Sequence, residues 1–187
     1  MRRLALIATM VSLVCSGNAV AQECVSSAEP GEGWVFMPGM AVTSASVPDT
    51  DRFVCTACSP VVEVVLAAAR PRVPMPPSPS GLAWAEANPS DHHQRAVSEL
   101  LDNLRRAAPE CTITGHARRG ANIGSLGVLP VDVQKICPGK REERQTNFLS
   151  YDGKCLYQAL AMWYGPPLDE ANTQRLLRLV ASVRFGR

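Results

Sequence analysis

Apolar residues recur at intervals of three and four positions in two stretches of the chain. This spacing places them on one face of a helix. Asn88 with Pro89 before the first stretch, and Asp169 before the second, are typical of helix starts. We therefore predict helices over about 88–108 and 169–184. The residues expected to face inward are Val97, Leu100, Leu101, Leu104 and Ala108 in the first helix and Leu176, Leu177, Val180 and Val183 in the second.

Other apolar stretches have the composition of strands. Cys111 to Ala117 alternates between apolar and polar positions, and Val128 to Cys137 forms a second such stretch that Pro130 interrupts. The run from Phe53 to Ala69 is apolar almost throughout and rich in valine, which favours a pleated surface. We predict that this run continues as a strand through 59–70. A helix that begins at Ser59 and Pro60 is the alternative.

Asp152-Gly153 is a dipeptide typical of hairpin turns, and it separates two apolar stretches, Phe148–Tyr151 and Cys155–Tyr164. We predict a hairpin here, with a helix over 153–164 as the alternative. The strands are thus grouped before and after the first helix instead of alternating strictly with helices. This order favours an α+β fold with an antiparallel sheet.

The N-terminus has the three parts of a signal peptide. Arg2 and Arg3 precede an apolar run, Leu4–Val14, and Ala19-Val20-Ala21 has the small residues of a cleavage site. The run is shorter than the roughly 20 residues that span a bilayer. We expect cleavage near Ala21 and a periplasmic or secreted protein without a transmembrane segment. A lipoprotein anchored through Cys15 is the alternative.

Removing residues 1–21 from the 187 leaves 166, enough for a single domain over 22–187. The five prolines within 71–81 predict a surface loop of this domain. The signal peptide takes two of the 19 basic residues and none of the 17 acidic ones, so the mature chain is close to neutral. Such a balance disfavours nucleic acid as a partner. Protein or small-ligand partners stay open.

Seven cysteines are present, and Cys15 would leave with the signal peptide. An even number in an exported chain predicts a disulfide framework, here three bridges among fifteen possible pairings. The six cysteines of this framework are Cys24, Cys55, Cys58, Cys111, Cys137 and Cys155.

Cys55 and Cys58 form a C-x-x-C motif, the most specific motif in the chain, and three hypotheses fit it. On a continuous strand the two residues lie about 10 Å apart on opposite faces, too far for a bridge, so each would pair elsewhere. This is the prediction we prefer. A local Cys55–Cys58 bridge is the second hypothesis, and a redox pair in a thiol–disulfide oxidoreductase is the third. No second C-x-x-C exists to complete a zinc site, and no cofactor is predicted.

Four other candidates are weaker. "DGKCLYQAL" resembles the nucleophile segment of ovarian-tumour-type cysteine proteases, which would make Cys155 a nucleophile, yet no histidine follows it. Asp91, His92 and His93 are consecutive on a helix and point in different directions, so they are expected to be solvated. His116 falls on the polar side of its strand. The glycine-rich segment Gly115–Gly127 is expected to connect strands.

The last third of the chain, "CLYQALAMWYGPP…LLRLVASVRF", resembles the closing strand and helix of small exported PsbP-like domains. That resemblance implies an α+β domain with an assembly or accessory role and no catalytic residues. We therefore expect an exported, disulfide-stabilised, non-catalytic binding or accessory domain. The enzymatic alternatives are an oxidoreductase that uses Cys55 and Cys58 and a cysteine hydrolase that uses Cys155.

Overall fold

The computed structural model describes residues 24, 26–37, 51–69, 91–118, 120–123, 126–151 and 155–185. The predicted signal peptide, the Pro-rich loop and the predicted start of the first helix lie outside these residues. In chain order the elements are β1 (Ser26–Ser27), β2 (Trp34–Met37), β3 (Asp51–Cys55), β4 (Val62–Ala69), α1 (Asp91–Ala107), β5 (Thr112–Ala117), β6 (Ala121–Ile123), β7 (Leu126–Ile136), β8 (Glu143–Tyr151), β9 (Leu156–Tyr164), α2 (Glu170–Ala181) and β10 (Arg184–Phe185).

Seven strands form the main sheet in the order β2-β3-β4-β9-β8-β7-β5, and each neighbouring pair is antiparallel. β6 pairs with β7 beyond the end of β5, while β1 and β10 form a separate two-stranded ladder. The predicted α+β class, with an antiparallel sheet and two main helices, is confirmed.

The two helices cover opposite faces of the sheet. α1 packs against the β5–β7 side of one face, where Leu101 and Leu104 contact a cluster that includes Leu129. α2 packs against the other face, and its core cluster includes Val128. Val128 and Leu129 are neighbours in β7, and successive side chains of a strand point to opposite faces. The two helices therefore pack against opposite faces of the sheet, each with its own core cluster.

α2 begins as predicted, with the Asp169 carboxylate accepting a hydrogen bond from the backbone N–H of Asn172 at 2.8 Å. The predicted facing of Leu177 is wrong, because this side chain is 37 % exposed and Leu179 is buried instead. A helix turns about 100° per residue, so residue 179 continues the inward stripe from Leu176, and residue 177 turns away from it.

The apolar run Phe53–Ala69 is not one strand. β3 ends at Cys55, a turn follows through a cis Ser59–Pro60 peptide, and β4 begins at Val62. Cys55 then lies opposite Val62 in the antiparallel pair. The strand prediction is confirmed for the second half of the run, but its continuity through 56–61 is wrong. The hairpin prediction for the second ambiguous segment is confirmed by the β8–β9 pairing.

All six cysteines of the framework are paired in the structure. The N-terminal bridge joins Cys24 to Cys155, the turn bridge joins Cys55 to Cys58, and the β5–β7 bridge joins Cys111 to Cys137. Our preferred prediction, that Cys55 and Cys58 pair elsewhere, is wrong. Because the strand ends at Cys55, the turn brings the two Cα atoms to 5.4 Å, within bridging distance.

Candidate binding groove

The turn bridge is enclosed by protein. Cys55 is 0 % and Cys58 is 5 % exposed. The turn is held against the start of α2, where the Asn172 side-chain amide donates to the Ser59 carbonyl at 3.1 Å. Thiol–disulfide exchange requires a thiolate to reach one of the two sulfurs. Burial of both cysteines therefore opposes the oxidoreductase hypothesis.

The other predicted chemical groups are not assembled into a catalytic arrangement. Cys155 is buried and bonded to Cys24, so it carries no free thiol, and the cysteine-hydrolase hypothesis is contradicted. Glu110 approaches Cys111 and Cys137, but both sulfurs belong to the β5–β7 bridge and offer no thiolate to a metal. The side chains of residues 91–93 lie outside the described part of the structure.

A groove opens on the face that α2 covers only in part, between this helix and the edge strand β5. Its volume is about 410 Å³. The lining residues come from β5 and the residue after it, from β7, β8 and β9, and from α2 and the segment before it: Thr114, Gly115, His116, Arg118, Asp132, Val133, Gln134, Arg144, Gln145, Thr146, Phe148, Trp163, Pro167, Leu168, Thr173, Leu176 and Leu177.

The floor of the groove consists of side-chain rows that cross the sheet. The first row is Thr114, Gln134, Arg144 and Trp163, and the second is His116, Asp132, Thr146 and Ala161. Neighbouring strands lie about 4.8 Å apart, so each row runs roughly 14 Å from β5 to β9. Both rows are polar at the β5 edge and apolar where they pass beneath α2.

Asp132 is the acidic group of the floor, and both of its oxygens are engaged. The Thr146 hydroxyl donates to Oδ1 at 2.7 Å, and Nε of Arg118 lies 2.8 Å from Oδ2. His116 approaches the same oxygen only to 4.0 Å, and its side chain is 74 % exposed, as the strand alternation predicted. Asp132 therefore organises the floor, and its charge is already paired with that of Arg118.

The second charged pair of the floor is Arg144 with Glu142, and its groups also have partners within the protein. Arg144 pairs with Glu142 through Nη2 and donates from Nε to the Gly165 carbonyl at 3.2 Å. Gln134 donates to the same Glu142 carboxylate at 2.7 Å. These contacts hold the Gln134 and Arg144 side chains of the first row in place, so the floor is preorganised.

The wall on the α2 side is apolar. Phe148, Trp163 and Leu176 are buried at the inner end, and the Trp163 indole N–H donates to the Pro166 carbonyl at 3.0 Å. Leu168 is half-buried, and Leu177 stands exposed at the rim. The groove therefore has one polar and one apolar side, which suits a ligand with the same division.

A second polar cluster lies on β7, β8 and β9, on the face of the sheet opposite the groove. Lys135 Nζ is 3.5 Å from Glu143, and Gln158 donates to Asn147 at 2.7 Å. Among the buried side-chain nitrogen and oxygen atoms of the described residues, only Gln145 Oε1 and Asn147 Nδ2 have no hydrogen-bond partner. An unpaired buried polar atom typically costs about 1–3 kcal/mol. This cluster is thus a polar interruption of an otherwise apolar layer.

No protein-family model matches the chain, and no curated protein matches its sequence. Solved structures similar to it include the following two. LpqN, involved in cell envelope biogenesis of Mycobacterium tuberculosis, has 11 % identity and a TM-score of 0.48, with 88 % of this chain and 84 % of that chain covered. Cyanobacterial PsbP (CyanoP) from Synechocystis sp. PCC 6803 has 11 % identity and a TM-score of 0.49, with 91 % and 96 % covered. PsbP-like domains are also the class that the C-terminal third of this sequence resembles.

The sequence predicted β5, β7, β9 and the end of β8, but not the groove itself or the part of β8 that carries Arg144 and Thr146. The alternation in the sequence places Thr114 and His116 on the polar side of β5, and it indicates nothing more about them. The sequence did not indicate Gln134 and Arg144, because they become neighbours only through the register of β5, β7 and β8. The sequence does contain one signal for this site. Polar positions alternate in β5, β7 and β8, on a face of the sheet that also has buried residues.

Proposed function

We propose that this protein is an exported, disulfide-stabilised, non-catalytic binding domain, and that the groove beside α2 holds a small ligand. The observation that carries the proposal is the groove, with its organised polar floor and apolar wall. A volume of about 410 Å³ lies within the roughly 300–1,000 Å³ range of small-molecule sites. Three disulfide bridges support an oxidising compartment.

The contacts within the groove favour binding over catalysis. A nucleophilic hydroxyl needs a base that accepts its proton. The Thr146 hydroxyl does donate to a possible base, Asp132, but Thr146 is buried, so its oxygen is not open to a substrate. The donors and acceptors of the floor are arranged to orient a bound molecule.

Two matched substitutions on β5 test the site. Thr114→Trp places a large side chain in the groove, whereas Thr112→Trp places it two residues away on the same face of the same strand, outside the lining. Both threonines are exposed, so both variants are expected to fold. A fragment library should then be screened by ¹H–¹⁵N correlation spectra of the mature protein.

We expect fragments to shift the amide signals of groove residues such as His116 and Leu177. Binding should be lost in Thr114→Trp and retained in Thr112→Trp. Fragment sites that all map elsewhere, or equal binding by the two variants, would contradict the proposed function.

A further inference from the structure

We infer that the ligand of the groove is an amphipathic carboxylate, with its charged head at the β5 edge and its apolar body beneath α2. This inference rests on the proposed function and specifies the ligand class of the same site. It is drawn from the hydrogen-bonding groups that the groove leaves open and from their position relative to the apolar wall.

The open groups at the β5 edge can each donate a hydrogen bond, and one of them, Arg118, can only donate. The Thr114 hydroxyl has no hydrogen bond to any described residue, and the His116 ring comes no closer than 4.0 Å to Asp132. Arg118 contacts Asp132 through Nε, and its side chain is 43 % exposed, which leaves the terminal nitrogens for another acceptor. The Arg118 guanidinium can bind a carboxylate with charge-assisted hydrogen bonds, which are about twice as strong as neutral ones.

A cationic ligand would meet the opposite situation. Both oxygens of Asp132 are already engaged, by Thr146 and Arg118. Glu142 is engaged by Gln134 and Arg144. An ammonium group at this edge would therefore lie beside the Arg118 guanidinium, and Asp132, the acidic residue of the lining, is already paired with that guanidinium, which disfavours a cation.

The apolar wall fixes the orientation of the ligand body. From the β5 edge each floor row leads across β7 and β8 to Trp163 or Ala161 on β9. Leu168 and Leu177 border the groove at this end, and burying an alkyl or aryl group against them removes apolar surface from water. A carboxylate on a short apolar body satisfies both ends at once.

The test compares octanoate, octanamide and octylamine, which share one apolar chain and differ in the charge of the head. Each is titrated into the mature protein and followed by ¹H–¹⁵N spectra and calorimetry. We expect octanoate to bind most tightly, to shift the signals of Thr114, His116 and Leu177, and to do so with a single set of saturating shifts.

Arg118→Gln should weaken octanoate binding by about tenfold or more, because it removes a charged donor but keeps most of the side-chain length. Arg178→Gln is the matched control, since Arg178 is exposed on α2 and does not line the groove. Leu177→Ser, at an exposed position, should weaken octanoate and octanamide alike. This second variant keeps the inference testable even if the loss of the Arg118–Asp132 pair disturbs the fold.

Octanamide or octylamine bound in the groove at least as tightly as octanoate would overturn the inference and leave the proposed function standing. Equal octanoate affinity in Arg118→Gln and Arg178→Gln would also overturn it. No groove shift with any of the three probes rejects the amphipathic carboxylate, and the fragment screen then decides separately whether the groove binds anything.

Discussion

Gly115 is the position where β5, β7 and α1 come closest together, and Gly115→Ala is our most specific stability prediction. A Cβ atom at this residue would lie 2.7 Å from the Asp132 carbonyl oxygen and 2.8 Å from Cδ2 of Leu101. It would also lie 3.4 Å from Cγ2 of Val133. The first contact is with backbone in a paired strand and the second is with a side chain of the α1 core cluster. The backbone oxygen cannot yield without moving a paired strand, and the Leu101 methyl group can shift only by repacking within its core cluster.

The magnitude follows from two opposing effects. Inserting an extra methyl group into a packed region typically costs about 1–3 kcal/mol, and two contacts below 3.0 Å point to the upper half of that range. Replacing glycine by alanine also restricts the unfolded chain, which returns about 0.4–1 kcal/mol. We expect a net loss of about 1–2.5 kcal/mol in the free energy of unfolding. Each kcal/mol lowers Tm by roughly 2–4 °C in a domain of this size.

Urea denaturation of the oxidised protein, followed by circular dichroism, measures this loss. Gly31→Ala is the control, because no atom of the described residues lies within 4 Å of a Cβ built there. Adding Leu101→Ala to Gly115→Ala removes one of the two close contacts, so the two substitutions should cost less together than the sum of their separate effects. A Gly115→Ala protein as stable as Gly31→Ala, within about 0.5 kcal/mol, would refute the packing described here.

Three further predictions test the core, the bridges and export. Leu179→Ala should cost about 2–5 kcal/mol in urea denaturation, whereas Leu177→Ala at its exposed site should cost under about 0.5 kcal/mol, and equal losses would contradict the orientation of α2. Alanine at both positions of the N-terminal bridge, which spans 131 residues, should cost about 5 kcal/mol on the chain-entropy model, against about 2 kcal/mol for the turn bridge, which spans three. The reverse order would count against that model. Mass spectrometry of the exported protein should find Gln22 at the N-terminus, and a diacylated Cys15 would instead identify a lipoprotein.

The types of most elements could be predicted from the sequence because they depend on local periodicity. The stripe of α1, the alternation of β5 and the hairpin before β9 are each contained in a short window, and the tertiary structure agrees with them. The prediction that Leu177 faces the core failed for a related reason. Two adjacent leucines satisfy an apolar pattern equally well, and the contacts of α2 with the sheet decide between them.

The turn bridge and the groove depend on information that a periodicity analysis does not contain. An apolar run such as Phe53–Ala69 looks continuous even when a turn divides it, and the turn reverses the conclusion about Cys55 and Cys58. The groove rows depend on the register of β5, β7 and β8, which are separated in sequence by connections of different length. A register shift of one residue would bring the other face of a strand into each row.

The nesting of the bridges means that the native pairs do not follow the order in which the cysteines occur along the chain. Counted along the chain, the first cysteine after Cys15 pairs with the last, and the other two bridges lie inside that ring. A chain that emerges into an oxidising compartment from its N-terminus presents Cys55 to Cys24 long before Cys155 is available. Oxidation in order of emergence would therefore join the wrong partners, and exchange through mixed disulfides has to correct them. The yield of native protein should depend on the disulfide isomerase of the host as well as on its oxidant.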